Sequence, residues 1–149
     1  MIALACDHAG YELKPYVIEV LKELNLTYKD FGVNGPDSVD YPVYGARAAN
    51  SVASGECDRG IVLCGTGVGI ALAANKVRGI RCAVCSECFT ACMSRLHNNA
   101  NMLALGARVV GGGLAKSIVR TWLTTDFEGD RHARRVGQIS MLEDGRPLE

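Results

Sequence analysis

Short, unbroken apolar runs alternate along this chain with longer stretches in which apolar residues return every third or fourth position. The runs at 2–6, 60–64, 80–84 and 102–105 read as strands covered on both faces, and a fifth at 26–31 alternates as a half-covered strand does. Between them, Leu13, Val17, Val20, Leu21 and Leu24 fall on one helical face, with Pro15 compatible because it lies in the opening turn. Asp40-Tyr41-Pro42 supplies a cap and an early-helix proline, and Val43, Ala46, Ala49, Asn50 and Ala53 continue one face. Shorter helices are expected from Gly69 to about Lys76 and from about Ser86 to Leu96. Gly111-Gly112-Gly113 opens another, carrying Leu114, Ile118, Val119, Trp122 and Leu123. Five βα units in succession predict a five-stranded parallel sheet with helices on both faces, reached by right-handed crossovers. The expected fold is α/β: a three-layer α/β/α, Rossmann-like single domain over 1–149.

The segment at about 129–149 breaks the alternation. Arg131-His132-Ala133-Arg134-Arg135 precedes Val136, Ile139 and Leu142 at helical spacing. A narrow apolar stripe after a finished sheet has little core left to join, so this C-terminal helix is expected to pack on the partner subunit of a homodimer.

Composition removes several classes of function. Sixteen basic and sixteen acidic residues leave no overall field to attract nucleic acid or an anionic membrane, so any anion site must be local. No apolar stretch approaches the ~20 residues that span a bilayer, and Met1 leads straight into a strand-like run; a cytoplasmic protein is expected. Seven cysteines, an odd number, argue for reduced thiols over a disulfide framework. Four of them, Cys82, Cys85, Cys88 and Cys92, have the C-x2-C-x2-C-x3-C spacing of bacterial iron–sulfur proteins, with Met93 where proline would follow. The competing reading is core and helix-face thiols, because Cys82 falls within a strand and Cys88 and Cys92 lie one helical turn apart.

The richest stretch is Cys64-Gly65-Thr66-Gly67-Val68-Gly69 after the strand at 60–64. Glycines at alternate positions let the backbone turn sharply and bring its N–H groups close to a ligand, at the start of a helix whose dipole favours oxyanions or a thiolate. The dinucleotide fingerprint fails because Ile70 replaces the third glycine or alanine, and no Lys-Ser or Lys-Thr closes a Walker loop. What remains is either a plain strand-to-helix turn with an inert Cys64 or a nucleophile or base beside an anion cradle.

Several ordered motifs decide between these. Cys6-Asp7-His8-Ala9-Gly10, Asp40-Tyr41-Pro42, the Cys64–Gly69 loop, Ala74-Asn75-Lys76, His97-Asn98-Asn99-Ala100-Asn101, Gly106-Ala107-Arg108-Val109-Val110 and Gly129-Asp130-Arg131-His132 together resemble the B-type ribose-5-phosphate isomerases over nearly the whole chain. The resemblance implies interconversion of ribose 5-phosphate and ribulose 5-phosphate through a cis-enediolate, with no cofactor and no metal. It implies Cys64 as the base, with Gly65, Thr66, Gly67, Val68 and Gly69 around the enediolate oxygens. One branch of the family places a glutamate base just after this loop, where this chain has Ile70, which favours the cysteine. The resemblance also implies that His97 opens the sugar ring with Asp7 as its partner and Asn98 a substrate contact, the His97-Asn98 pair coming from the neighbouring subunit. Phosphate would be held by Arg131 and Arg135, four apart on one helical face, with Arg108, His8 and His132 assisting and Tyr41 lining the sugar pocket. Read without the resemblance, His97 is a helix-end capping group and the arginine run a solvated basic face. The rival functions are a hexose-6-phosphate isomerase, such as one acting on allose 6-phosphate, and a non-catalytic sugar-phosphate sensor.

Overall fold

The computed structural model describes residues 1–149 throughout. Five strands form one parallel sheet: β1 (Ile2–Cys6), β2 (Tyr28–Asp30), β3 (Arg59–Cys64), β4 (Cys82–Val84) and β5 (Met102–Gly106), in the order β2-β1-β3-β5-β4. Six helices accompany them: α1 (Lys14–Glu23), α2 (Tyr41–Ala53), α3 (Val68–Ala74), α4 (Cys88–Leu96), α5 (Gly112–Thr124) and α6 (Arg131–Glu143). The Rossmann-like architecture expected from the alternation is the one observed, and no helix is long and apolar enough to cross a membrane.

The three central strands are apolar on both sides because both sides are covered. On one face Leu4, Ile61, Leu63, Leu103 and Leu105 pack with Val17 and Leu21 of α1, Ala91 of α4 and Ile118 and Trp122 of α5. On the other, Ala5, Val62, Cys64 and Ala104 pack with Ala48 and Val52 of α2 and Ile70 and Ala74 of α3. The side chains on this second face are small, so α2 and α3 lie close to the sheet and hold the loop after β3 down. The chain leaves β1 for one face and β3 for the other; their carboxyl ends therefore flank the crevice where an open α/β sheet binds ligands.

The outer strands are shorter than their sequence patterns suggest. The expected strand at 26–31 forms ladder only over Tyr28–Asp30, and that at 80–84 only over Cys82–Val84. Each has a single neighbour and begins pairing at that neighbour's first residue, but parts from it two residues before the neighbour's own end at Cys6 or Gly106. Asp40 occupies the cap of α2 as expected, but its side chain makes no capping bond.

The cysteine quartet does not converge. Cys85 and Cys88 pack on the α1/α4/α5 face of the sheet, whereas Cys82 packs on the α2/α3 face, so no common cluster can join them. All seven thiols are free. Burial pushes those of Cys6 and Cys85 up to about 11 and that of Cys82 up to about 12, which keeps them protonated and unreactive at neutral pH.

Candidate active site

The first cluster of candidate residues lies at the carboxyl ends of β1, β3 and β5. Cys64 closes β3, 5% exposed, and its Sγ accepts the Gly67 N–H at 3.1 Å. That amide is aimed by the left-handed backbone of Gly67 (φ 82), the residue preceding α3, and an N–H so placed is a donor that a thiolate accepts better than a thiol does. The Gly67 amide is thus committed to the sulfur, and that of Val68 donates to the Thr66 hydroxyl at 3.3 Å. The N–H groups of Gly65 and Gly69 are left to meet an incoming oxygen, a narrower set than the sequence suggested. Thr66 stands exposed at the tip of the loop.

Two side chains and the 7–10 turn wall this loop. The Tyr41 ring lies so close to Gly69 that a Cβ there would fall 2.7 Å from its Cζ, and the Arg108 guanidinium covers Gly65 in the same way at 3.1 Å. Asp7 follows β1 with its N–H donating to the Leu63 carbonyl at 3.1 Å and its Oδ1 accepting from the Gly10 N–H at 2.8 Å. The 7–10 turn reads from sequence as exposed, yet Asp7 is 4% exposed and Gly10 is buried; a Cβ on Gly10 would lie 2.3 Å from the Leu63 carbonyl. The turn is pressed against β3, and only glycine permits that approach. His8 accepts the Val39 N–H on Nδ1 at 3.2 Å, which leaves Nε2 to carry the proton and donate.

The second cluster sits at the other end of the sheet. His97 ends α4, and Asn99 turns the chain with φ 45 before β5 begins. Two arginines that sequence reasoning passed over fix this turn. Arg81 donates to the carbonyls of Asn98 (3.0 Å) and Asn99 (2.9 Å). Arg95, nearly buried, donates to the Asn99 side chain (3.0 Å), the Ala100 carbonyl (2.6 Å) and the Thr125 carbonyl (3.3 Å), with its guanidinium over Trp122. His97 caps no carbonyl; its ring stacks on that of His132 with centroids 4.1 Å apart. Burial, with the charge of His97 second, pushes the His132 imidazole below its ordinary value. Arg131 and Arg135 are exposed one turn apart on α6, and neither they nor Arg108 has a carboxylate partner.

One chain therefore does not bring all the expected residues together. Cys64 pairs with Gly106 at the carboxyl ends of the strands, whereas the 97–101 turn feeds the amino end of β5, where the Asn101 carbonyl accepts the Gly60 N–H. The four residue steps from Gly60 to Cys64 alone separate these levels by about 13 Å. Asp7, His8, Tyr41, Arg108 and the Cys64 loop form one half-site; His97, Asn98, Arg131 and Arg135 form another. The mouth around Cys64 is rimmed by exposed apolar side chains, with Val68 and Leu72 on α3, Phe89 (73% exposed) on α4 and Val109 after β5. A groove of about 630 Å³ lies elsewhere, between α6 and the β4 edge, with Ile80, Ala83, Ile139 and Leu142 among its walls.

Comparison with known proteins places this arrangement in context. Residues 2–139 match the family model described as Ribose/Galactose Isomerase. Ribose-5-phosphate isomerase B of Escherichia coli is 49% identical over 145 residues, 97% of each chain. D-erythrulose-4-phosphate isomerase of Pectobacterium atrosepticum is 40% identical over 144 residues, 95% of this chain and 94% of that one. The solved structure of ribose-5-phosphate isomerase B from Clostridium thermocellum superposes with a TM-score of 0.94 at 56% identity, covering 97% of both chains.

Proposed function

The chain belongs to the ribose/galactose isomerase family of aldose–ketose isomerases, and from that premise we propose that it interconverts D-ribose 5-phosphate and D-ribulose 5-phosphate through a cis-enediolate. The Cys64 thiolate takes the proton from C2 of the open-chain aldose and returns it to C1, while a proton passes from the C2 oxygen to the C1 oxygen. The Thr66 hydroxyl serves that oxygen-to-oxygen transfer, and the Gly65 and Gly69 amides stabilise the charge that develops. His97 protonates the ring oxygen as Asp7 receives the ring hydroxyl's proton, and Asn98 holds the sugar. Arg131 and Arg135, with Arg108 and His8, hold the phosphate. The reaction runs in the cytoplasm, where seven free thiols survive.

The observation that carries this reading is the Cys64 sulfur held under a backbone N–H at the mouth of the sheet, in a crevice walled by Tyr41 and Arg108. The separation of the two half-sites gives it a further requirement. A second copy of the chain brings its His97, Asn98, Arg131 and Arg135 to the first copy's Cys64, covering the apolar rim at Leu72, Phe89 and Val109 and the stripe of α6.

Subunit complementation tests this. Cys64→Ala and His97→Ala proteins are each inactive alone. When unfolded together and refolded in equal amounts, half the dimers pair the two kinds, each with one intact site of two, so about a quarter of wild-type activity returns. A mixture as inactive as its components would defeat the shared site; an active Cys64→Ala protein would defeat the base. A second reading, isomerisation of a sugar phosphate of another length, draws on the relative that acts on D-erythrulose 4-phosphate. Relative kcat/KM on ribose 5-phosphate, allose 6-phosphate and erythrulose 4-phosphate decides between them.

A further inference from the structure

Three side chains at the His97 half-site converge on one point without bonding to one another. His97 Nε2 lies 3.8 Å from Glu128 Oε2 and His132 Nε2 lies 3.7 Å from the same oxygen, with all three atoms within 4.8 Å. These separations are too long for hydrogen bonds. The His132 ring is 5% exposed and its Nε2 is buried with no partner at all, an arrangement that is unfavourable when nothing accepts or donates there. No other trio of histidine, cysteine or acidic side chains comes so close, the cysteines included.

The donor set is that of a borderline-soft divalent cation: two imidazole nitrogens and one carboxylate oxygen. With bonds of about 2.0–2.1 Å, a tetrahedral site holds its ligand atoms roughly 3.4 Å apart. Two of the three edges are within a few tenths of an ångström of that value. The third, no longer than 4.8 Å, closes when half-exposed His97 tilts its Nε2 edge toward His132 from the present stacking with 9° between the ring planes. The backbone presents the ligands together: the Glu128 N–H donates to the Leu96 carbonyl at 3.0 Å, tying Glu128 to the end of the helix that carries His97. Gly129 and Asp130 then both take positive φ to turn the chain back into α6, where His132 sits.

We propose that His97, Glu128 and His132 form a three-ligand site for a Zn²⁺-type ion, with water in the fourth position, and that its occupation switches off the isomerase by engaging the His97 nitrogen. The switch rests on the ring-opening role given to His97 above; the metal site does not.

Zn²⁺ alone, titrated calorimetrically into EDTA-treated full-length protein, is expected to bind at one ion per chain and to shift the ring resonances of His97 and His132 together. Glu128→Gln, at an exposed position outside the isomerase machinery, weakens binding at least tenfold, and His132→Asn does the same. Zn²⁺ affinity unchanged in Glu128→Gln overturns the site. In the activity arm, Zn²⁺ inhibits, EDTA restores turnover, and the inhibition curve of Glu128→Gln moves by the same factor as its binding constant. Binding that responds to the variants without inhibition overturns the switch and the ring-opening role of His97 while leaving the metal site standing.

Discussion

Replacing Gly67 by alanine strikes the catalytic loop at its tightest point. Gly67 holds φ 82 while its N–H meets the Cys64 sulfur at 3.1 Å, and a Cβ there would lie 3.0 Å from the Leu105 carbonyl carbon and 3.3 Å from the Gly106 nitrogen. The left-handed conformation costs a non-glycine residue about 1–2 kcal/mol, and the stiffer unfolded chain returns about 0.4–1 kcal/mol of that. The β5 backbone cannot yield as a side-chain end would, which adds roughly 1–3 kcal/mol of overpacking. Gly55 isolates the first part: its φ is 80 and nothing lies within 4 Å of a Cβ placed there. Gly55→Ala is therefore expected to lose no more than about 1.5 kcal/mol in guanidinium denaturation and to keep wild-type turnover. Gly67→Ala is expected to lose about 1–4 kcal/mol. By moving the N–H off the sulfur it also forfeits a charge-assisted bond of about 1.5–3 kcal/mol, a fall in kcat of about 10–150-fold. A Gly67→Ala enzyme that is destabilised as expected yet turns over ribose 5-phosphate at the wild-type rate would refute the role given to that amide.

Three other outcomes follow from the same geometry. Arg131→Ala or Arg135→Ala should raise KM for ribose 5-phosphate at least tenfold with little change in kcat, because the phosphate contact is present in ground and transition states alike; a fall in kcat alone would contradict it. Arg95→Met leaves the Ala100 and Thr125 carbonyls without their donor, so urea denaturation should show a loss of about 2–4 kcal/mol, and a loss under about 1 kcal/mol would show the turn is held otherwise. Cys6, Cys82 and Cys85 should resist iodoacetamide at pH 8 in the native protein and react in guanidinium, as read by peptide mapping. Unfolded thiols ionise near 9.0 and these near 11 to 12, so the folded state holds more protons in between; the stability they contribute is full below about pH 9 and lost as pH rises through 11 to 12.

The layers of this fold are legible in the chain because the apolar runs of β1, β3 and β5 and the periodic faces of α1 and α5 each answer to local burial. The edges are less so: 26–31 and 80–84 carry strand-like residues throughout, yet each keeps only three ladder pairs and parts from its single neighbour two residues before that neighbour ends, a departure the segment's own pattern does not mark. Asp7 illustrates the same limit. A polar residue opening the Asp7-His8-Ala9-Gly10 stretch reads as a surface turn, and its burial depends on Leu63, which arrives fifty-six positions later to receive its N–H. The motif residues of the candidate site were visible one by one, and their division between opposite ends of the sheet follows from the βα alternation, since Cys64 ends a strand and the 97–101 turn precedes one; which strand ends lie side by side depends on strand order, and that leaves no mark in any one segment. Arg81, Arg95 and Glu128 escaped notice for a related reason. Each acts on a backbone or ring brought near by tertiary contact, and lone charged residues on helix faces or in loops carry no spacing that announces it.

Helix α6 has only His132 buried among its thirteen residues, and its far end is tethered by the Gly79 amide on Glu143 and by the ion pair of Arg78 with Asp144. An element so thinly attached opens locally at little cost in an isolated protomer, and its amides trade hydrogen for deuterium long before those of β1, β3 and β5. Slow exchange along α6 therefore measures contact with something other than its own chain, a gauge of assembly that needs neither substrate nor turnover.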